Sequence, residues 1–248
     1  MYISRDDVAQ YERDGYFLAK NLFTKEEVEK MLAAVESGGK VKDTAYGVND
    51  QTGKAARLAI WFDLTDDIWS AASTCPRIIN NVRILLGEEV SFFHGKVMLK
   101  EAHSGGAWEW HQDYGYWYDQ GFLFPNMISA FIALDPCTIE NGCLRVLRGS
   151  HKMGRLEHQV VGTQTGANPD RLKAIEGRFE QVACEMEPGS VLFFHSNLLH
   201  TSSANDSDHH RRAFIMCYSA WPNPQVWNGI VTERPVCPVG PDDAILKF

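Results

Sequence analysis

Val90-Ser91-Phe92-Phe93-His94-Gly95-Lys96-Val97-Met98-Leu99 marks the point at which the chain changes character. From here on, short apolar or alternating runs stand between turn signals. They are Val90–Leu99, Met127–Leu134, Cys143–Leu147, Phe179–Cys184, Ser190–Phe194 and Ala213–Trp221, with Glu140-Asn141-Gly142 and Glu187-Pro188-Gly189 as turns of hairpin type. Runs of this length with regular turns predict a β-sandwich or barrel. Upstream, the signals are helical. Ser4-Arg5-Asp6-Asp7 starts a helix with Ser4 as N-cap, Gly15 ends it, and Tyr16–Ala19 reads as a short strand. Thr24 and Glu27 form a capping box ahead of the stripe Val28, Met31, Leu32 and Val35. Residues 43–56 read as a polar loop. Further helices are expected near Asp66-Asp67 and from Pro76 to Leu86, where Pro76 suits the first turn.

The expected organisation is a single domain over residues 1–248. N-terminal helices run to about 88, a β core covers about 90–221, and a proline-containing arm extends over 222–248. Gly162–Arg178 is a long insertion, either a lid or a plain surface loop. At 248 residues, 44% hydrophobic and 23% charged, the chain has the composition of a soluble globular protein with a substantial core. A formal charge of −8 leaves no basic surplus for nucleic acid. No apolar run reaches the roughly 18 residues of a membrane span. The start, Met1-Tyr2-Ile3-Ser4-Arg5-Asp6-Asp7, is polar and acidic and unlike a secretory signal. Six cysteines without any Cys-x-x-Cys pair speak against a zinc ribbon or thioredoxin-type site, and point to free thiols in a reducing cytoplasm.

The chemistry is concentrated in Trp110-His111-Gln112-Asp113. On an extended strand, His-x-Asp turns both side chains to one face. One more histidine would complete a two-histidine, one-carboxylate triad, which holds Fe(II) on one face and leaves three positions open. His195 and His200, in Phe193-Phe194-His195-Ser196-Asn197-Leu198-Leu199-His200, are the candidates, and the apolar pair before His200 favours it. His94, His103, His151, His158, His209 and His210 are expected to be structural or exposed.

Three linked motifs resemble the phytanoyl-CoA dioxygenase (PhyH) family of Fe(II)/2-oxoglutarate oxygenases. The first is Trp110-His111-Gln112-Asp113-Tyr114 with Tyr116-Trp117. The second is Glu140-Asn141-Gly142-Cys143-Leu144 with Val146-Leu147-Arg148-Gly149-Ser150-His151. The third is His195 to His200 with Ser202, Asn205 and Arg211-Arg212-Ala213. With Gly15-Tyr16-Phe17 and Glu187-Pro188-Gly189-Ser190, the resemblance covers nearly the whole chain. It implies a mainly β protein with flanking helices, a double-stranded β-helix (jelly roll, cupin-like). It also implies that His111, Asp113 and His200 hold Fe(II), and that Arg211 and Ser202 bind the 5-carboxylate of 2-oxoglutarate, the co-substrate used with O₂. Ascorbate would stimulate such an enzyme. A guanidinium fork meets a buried carboxylate with two parallel hydrogen bonds. Arg212, next along a strand, would face the other way as a structural or surface charge. The sequence departs from the family pattern at Arg148, where a proline is usual, and at Phe131, where some members place a tryptophan near the co-substrate.

The resemblance further implies a hydroxylase, since related halogenases lack a carboxylate where this chain has Asp113. Arg57, Lys96, Tyr114, Tyr116 and Trp117 are candidate substrate residues, with Tyr118 a further candidate for the cavity wall. The basic pair suits a small, polar, anionic or zwitterionic molecule: an aminoalkylphosphonate first, then an amino-acid derivative or an osmolyte. An apolar natural product or acyl-CoA is the alternative substrate. A cupin-like isomerase or metal-binding protein without oxygenase activity is the alternative function.

Overall fold

The structure, a computed structural model, describes residues 3–248, so Met1 and Tyr2 of the polar N-terminal stretch lie outside the described residues. Helix α1 (Arg5–Asp14) is closed by a Ser4–Asp7 capping box at one end and by Gly15, at φ 84°, at the other. β1 (Tyr16–Ala19) follows, then α2 (Lys25–Glu36) behind its Thr24–Glu27 box, and α3 (Lys40–Thr44). The stretch 43–56 is not simply a loop: it holds β2 (Tyr46–Asn49) and the first residues of β3 (Ala55–Trp61). β2 is the edge of its sheet and mostly exposed, and its inward face is only Tyr46 and Val48, too short an alternation to read as a strand. α4 (Ile68–Ser73) is capped by Asp67, and α5 (Pro76–Leu86) begins at Pro76 and closes at Gly87. Ile78, Ile79 and Val82 of α5 are fully buried, each contributing roughly 1.5–3 kcal/mol.

The β region begins with β4 (Val90–Lys100) and β5 (Trp108–His111), followed by the short α6 (Asp113–Asp119). β6 (Met127–Ala133), β7 (Leu144–Leu147) and β8 (His158–Val161) come next, then the Gly162–Arg178 insertion with β9 (Gln164–Ala167) and α7 (Pro169–Ile175). β10 (Gln181–Cys184), β11 (Val191–His195), β12 (His200–Ser202) and β13 (Arg211–Ala220) complete the main sheets, and β14 (Gln225–Trp227) with β15 (Ile230–Thr232) forms a final hairpin.

Seven strands form one sheet in the order β1-β11-β6-β13-β4-β3-β2, and four form a second in the order β10-β7-β12-β5. The strand pairs in both sheets are antiparallel. This is the expected jelly roll. The large sheet is covered on both sides, and β6 and nine of the ten residues of β13 are buried, which is why their sequences run apolar without alternating. One core lies between that sheet and the helices, with Met31, Trp69, Ile79 and Phe214. A second, with Phe131, Val146, Leu192 and Phe194, fills the space toward the small sheet.

The insertion is not a free-standing lid. Its β9 lies on β5, where the Gln164 side chain accepts from the Glu109 N–H (2.9 Å) and donates to the Ala107 carbonyl (2.9 Å). The arm is also tied down: the Cys237 N–H donates to the Val90 carbonyl, Arg77 reaches Asp242, and Ile245 is fully buried. Among the described residues no helix is long and apolar enough to cross a membrane.

Arg77 links the arm to the buried Glu27 of α2. Burial works to raise the Glu27 carboxyl, but hydrogen bonds from Arg77 and Thr24 outweigh it and hold the group below its ordinary range. Such a group stabilises the fold above its unfolded pKa, and the contribution is lost as pH falls through the folded value. Arg77→Ala should therefore cost about 3 kcal/mol at neutral pH. In urea titrations, the gap from wild type should narrow under acidic conditions.

Candidate active site

β12 pairs with β5 so that His200 lies directly opposite His111. β5 ends at His111, and Asp113 is the first residue of α6 rather than a strand residue. The His-x-Asp spacing still brings both groups to one point, but through a strand-to-helix turn. The intervening Gln112 points away and is fully buried. Its side chain donates to the Gly154 and Asn197 carbonyls and accepts from the Leu156 N–H. The Tyr114 N–H donates to the Ser196 carbonyl and fixes the start of the helix.

One ligand atom each from His111, Asp113 and His200 lies within 4.8 Å of the other two. His111 Nε2 is 3.8 Å and His200 Nε2 3.9 Å from Asp113 Oδ1. Each histidine has a backbone carbonyl at Nδ1, that of Glu109 for His111 (2.7 Å) and that of Leu198 for His200 (2.9 Å). Nδ1 is therefore the donor, and the Nε2 lone pair faces the centre. Burial, followed for His111 by the neighbouring His200, holds both imidazoles below their ordinary pKa and so in the neutral, ligating form. Asp113 is also buried, which works to raise its carboxyl, but Lys96, both histidines and the Ser129 hydroxyl outweigh this and keep it ionised. Ser129 Oγ donates to Asp113 Oδ2 at 2.6 Å. Two neutral imidazoles and a carboxylate converging in a dry site can hold a divalent metal ion.

The triad opens into a cavity of about 220 Å³ between the two sheets. Its walls include Tyr46, Leu58, Ile60, Phe62, Met98, Tyr116, Trp117, Phe131, Leu144 and Ile215, and its polar lining includes His94, Lys96, Ser202 and Arg211. Tyr116 and Trp117 share a helix face with Asp113 because they lie three and four residues on. Tyr114 falls on another face: it is buried in the second core with its hydroxyl donating to the Phe122 carbonyl, and it does not line the cavity. Tyr118 is likewise turned away, under the Arg155 guanidinium. Arg57 is also absent from the cavity. It alternates with the inward-facing Ala56 and Leu58 on β3 and lies 3.8 Å from Glu101 on the outside. His195 packs against Tyr11 and His151, away from the triad. His94, expected from the sequence to be structural or exposed, lines the cavity.

Arg211 is buried at the far end of the cavity from His94. It donates from Nη2 to the Gly142 carbonyl (3.0 Å) and stands 5.9 Å over the Phe131 ring, and its buried Nε has no partner among the described residues. Gly142 is at φ +77°, and a Cβ there would sit 2.2 Å from the Ser203 carbonyl oxygen. Across the β13–β4 register, Arg211 faces Lys100, which is also fully buried. Lys100 Nζ donates to Ser202 Oγ (2.8 Å) and to the Ser203 carbonyl. Neither cation makes an ion pair among the described residues, and burial lowers the pKa of both. Lys100 was missed in the sequence, although it lies four residues after Lys96 on one face of β4. Arg212, as expected, turns outward, to Asp135 and Glu36.

Residues 11–213 match the profile of the family described as Phytanoyl-CoA dioxygenase (PhyH). An L-proline trans-4-hydroxylase from Streptomyces griseoviridis is 26% identical, over 95% of this chain and 90% of its own. An ectoine dioxygenase from Bordetella bronchiseptica is 29% identical, over 89% of this chain and 77% of its own. The crystal structure of EctD from S. alaskensis with 2-oxoglutarate and 5-hydroxyectoine superposes with a TM-score of 0.77 at 23% identity, covering 96% of this chain and 88% of that one.

The triad geometry makes two predictions. His111→Ala and His200→Ala should abolish Fe(II) or Co(II) binding in equilibrium dialysis, whereas His195→Ala should retain it. Ser129→Ala should weaken metal affinity by roughly 10- to 100-fold, because it removes the bond that orients Asp113.

Proposed function

The chain belongs to the phytanoyl-CoA dioxygenase (PhyH) family, and from that premise we propose that it is an Fe(II)/2-oxoglutarate-dependent dioxygenase that hydroxylates a small polar molecule. In this reading His111, Asp113 and His200 hold the iron. The observation that carries it is the pair of buried cations, Arg211 and Lys100, neither of which is in an ion pair among the described residues. A buried charge without a partner is costly, so a site built this way is complementary to an anionic ligand. Arg211 and Ser202 line this end of the cavity and the Lys100 ammonium adjoins Ser202, so the end suits one carboxylate, the far end of a keto-diacid. That is the fit expected for 2-oxoglutarate.

When bound, the metal and co-substrate supply the activation of O₂, coupled to decarboxylation of 2-oxoglutarate to succinate. The protein does the rest. Ser129 and the two backbone carbonyls hold the ligand side chains in orientation. Met98, Phe131, Leu144 and Ile215 exclude water from the cavity, and Tyr116 and Trp117 wall the side nearest Asp113. Phe131 stands where some relatives carry a tryptophan, so it has no ring N–H to donate to 2-oxoglutarate and instead presents its ring face to the Arg211 guanidinium. A cavity of about 220 Å³ lies below the roughly 300–1,000 Å³ of drug-sized pockets and favours a compact substrate over an acyl-CoA. We place the enzyme in the cytoplasm, where ferrous iron persists. The six free cysteines are compatible with such a reducing compartment.

A cupin-like metal protein without oxygenase activity would need the triad but not the cation pair. Arg211→Ala should raise the half-saturating 2-oxoglutarate concentration roughly 100-fold, about 2.7 kcal/mol, with metal affinity unchanged. Succinate release, measured with Fe(II) and ascorbate across amino acids, osmolytes, phosphonates and acyl-CoAs, tests both statements. Absence of 2-oxoglutarate-dependent succinate release from the wild type would favour the non-oxygenase reading, and unaltered 2-oxoglutarate dependence in Arg211→Ala would remove Arg211 from the co-substrate site.

A further inference from the structure

β4 lays His94, Lys96, Met98 and Lys100 along one face, by the two-residue period of a strand. Lys100, beside Arg211 and Ser202, marks one end of the cavity. His94 and Lys96 mark the other, beyond the triad. The Lys96 ammonium adjoins Asp113 at 3.9 Å and makes no hydrogen bond among the described residues. His94 is 3% exposed, and its buried Nδ1 has no partner among the described residues. Its ring is held edge-on against Phe62, Phe93 and Trp117, so it has little freedom to turn in search of one. Burial pushes the imidazole down to about 3, which leaves it neutral. A neutral ring whose Nδ1 has no acceptor avoids an orphaned N–H by carrying its proton on Nε2, where it is a donor. Among the described residues Asp113 is the only acid lining the cavity, and it belongs to the triad.

We propose that Lys96 and His94 form the anion-binding end of the primary-substrate subsite, and that the substrate is a small carboxylic acid whose body lies against Phe62, Ile60 and Trp117. This rests on the reading that the co-substrate occupies the Arg211 end. With Arg57 on the outer surface, one cation faces the substrate instead of two. A single ammonium flanked by one neutral donor matches a carboxylate monoanion better than the phosphonate dianion that two basic residues would suit. The apolar and aromatic walls carry no second acid to pair a substrate ammonium, so an amine on the substrate would rest on ring faces.

The test uses the full chain under anaerobic conditions with Zn(II) and 2-oxoglutarate, so that binding is read without turnover. Matched probes carry a carboxylate, a primary carboxamide or a phosphonate on cyclopentyl, pyrrolidine and phenyl scaffolds, and are titrated by calorimetry. At least one carboxylate should bind more than about tenfold tighter than its carboxamide. Lys96→Met should erase that preference, Lys96→Arg should keep most of it, and His94→Phe should reduce it a few-fold. 2-Oxoglutarate affinity should change by less than about threefold in Lys96→Met and should collapse in Arg211→Ala. The inference is overturned if no acid binds, if acids and amides bind alike, if phosphonates bind tightest, or if the preference survives Lys96→Met. It is equally overturned if Lys96→Met costs 2-oxoglutarate more than the probes, since Lys96 would then serve the co-substrate. Should Lys96→Met fail to fold, Lys96→Gln is read in its place. Failure of wild type to bind 2-oxoglutarate at all would instead remove the oxygenase reading beneath it.

Discussion

The site depends on one hydrogen-bonded register, in which His200 lies across from His111 between two short strands of the small sheet. A slip of one residue in either strand would turn an imidazole to the opposite face and break the convergence. β12 is only three residues long and cannot hold that register unaided. Support comes from both sides. β7 places Val146 on the far flank of His200, and the buried Ser150 hydroxyl accepts from the Leu199 N–H. The Asn-Gly-Cys-Leu and Gly-Ser-His segments of the sequence are thus the frame that holds β12 in place.

Charge is the second constraint. Most of the cavity wall is apolar, yet three cations lie in or beside it against a single carboxylate. Packing does not require such an excess, and burying it lowers stability. It is consistent with a site whose electrostatics are completed by what it binds, a divalent ion at the triad and anions on either side of it.

The helix caps were plain in the sequence, because Ser4, Thr24 and Pro76 act locally and their effect does not depend on tertiary context. The buried strands were plain too, because β4, β6 and β13 are covered on both faces and run apolar. Edge elements were not: β2 is mostly exposed, with only Tyr46 and Val48 turned inward, and its surroundings read as polar coil. His111, Asp113, His200 and Arg211 were legible through linked motifs. The conformation of Asp113 was not, since a two-residue spacing serves a strand and a strand-to-helix turn alike. That one change of backbone brings Tyr116 to the cavity beside Trp117, whereas a continued strand would have left Tyr116 on the other face with Tyr114. Arg57 was misjudged and Lys100 passed over for a shared reason: strand parity decides whether a basic residue faces solvent or the interior, and parity can be read only once the register is known.

The docking of β9 on β5 bears on how such an enzyme tolerates change. The Gln112 N–H donates to His158 Nε2, and Gly115 lies so close to that ring that a Cβ there would meet it at 2.2 Å. The hairpin therefore buttresses the backbone that carries the triad, while the stretch beyond it, from Asn168 to Arg178, contributes no residue to the cavity. Loop grafting or a fusion point belongs in that outer stretch, where length can vary freely. Trimming the hairpin itself to a tight turn would loosen the seat of the metal from behind, with every ligand still present.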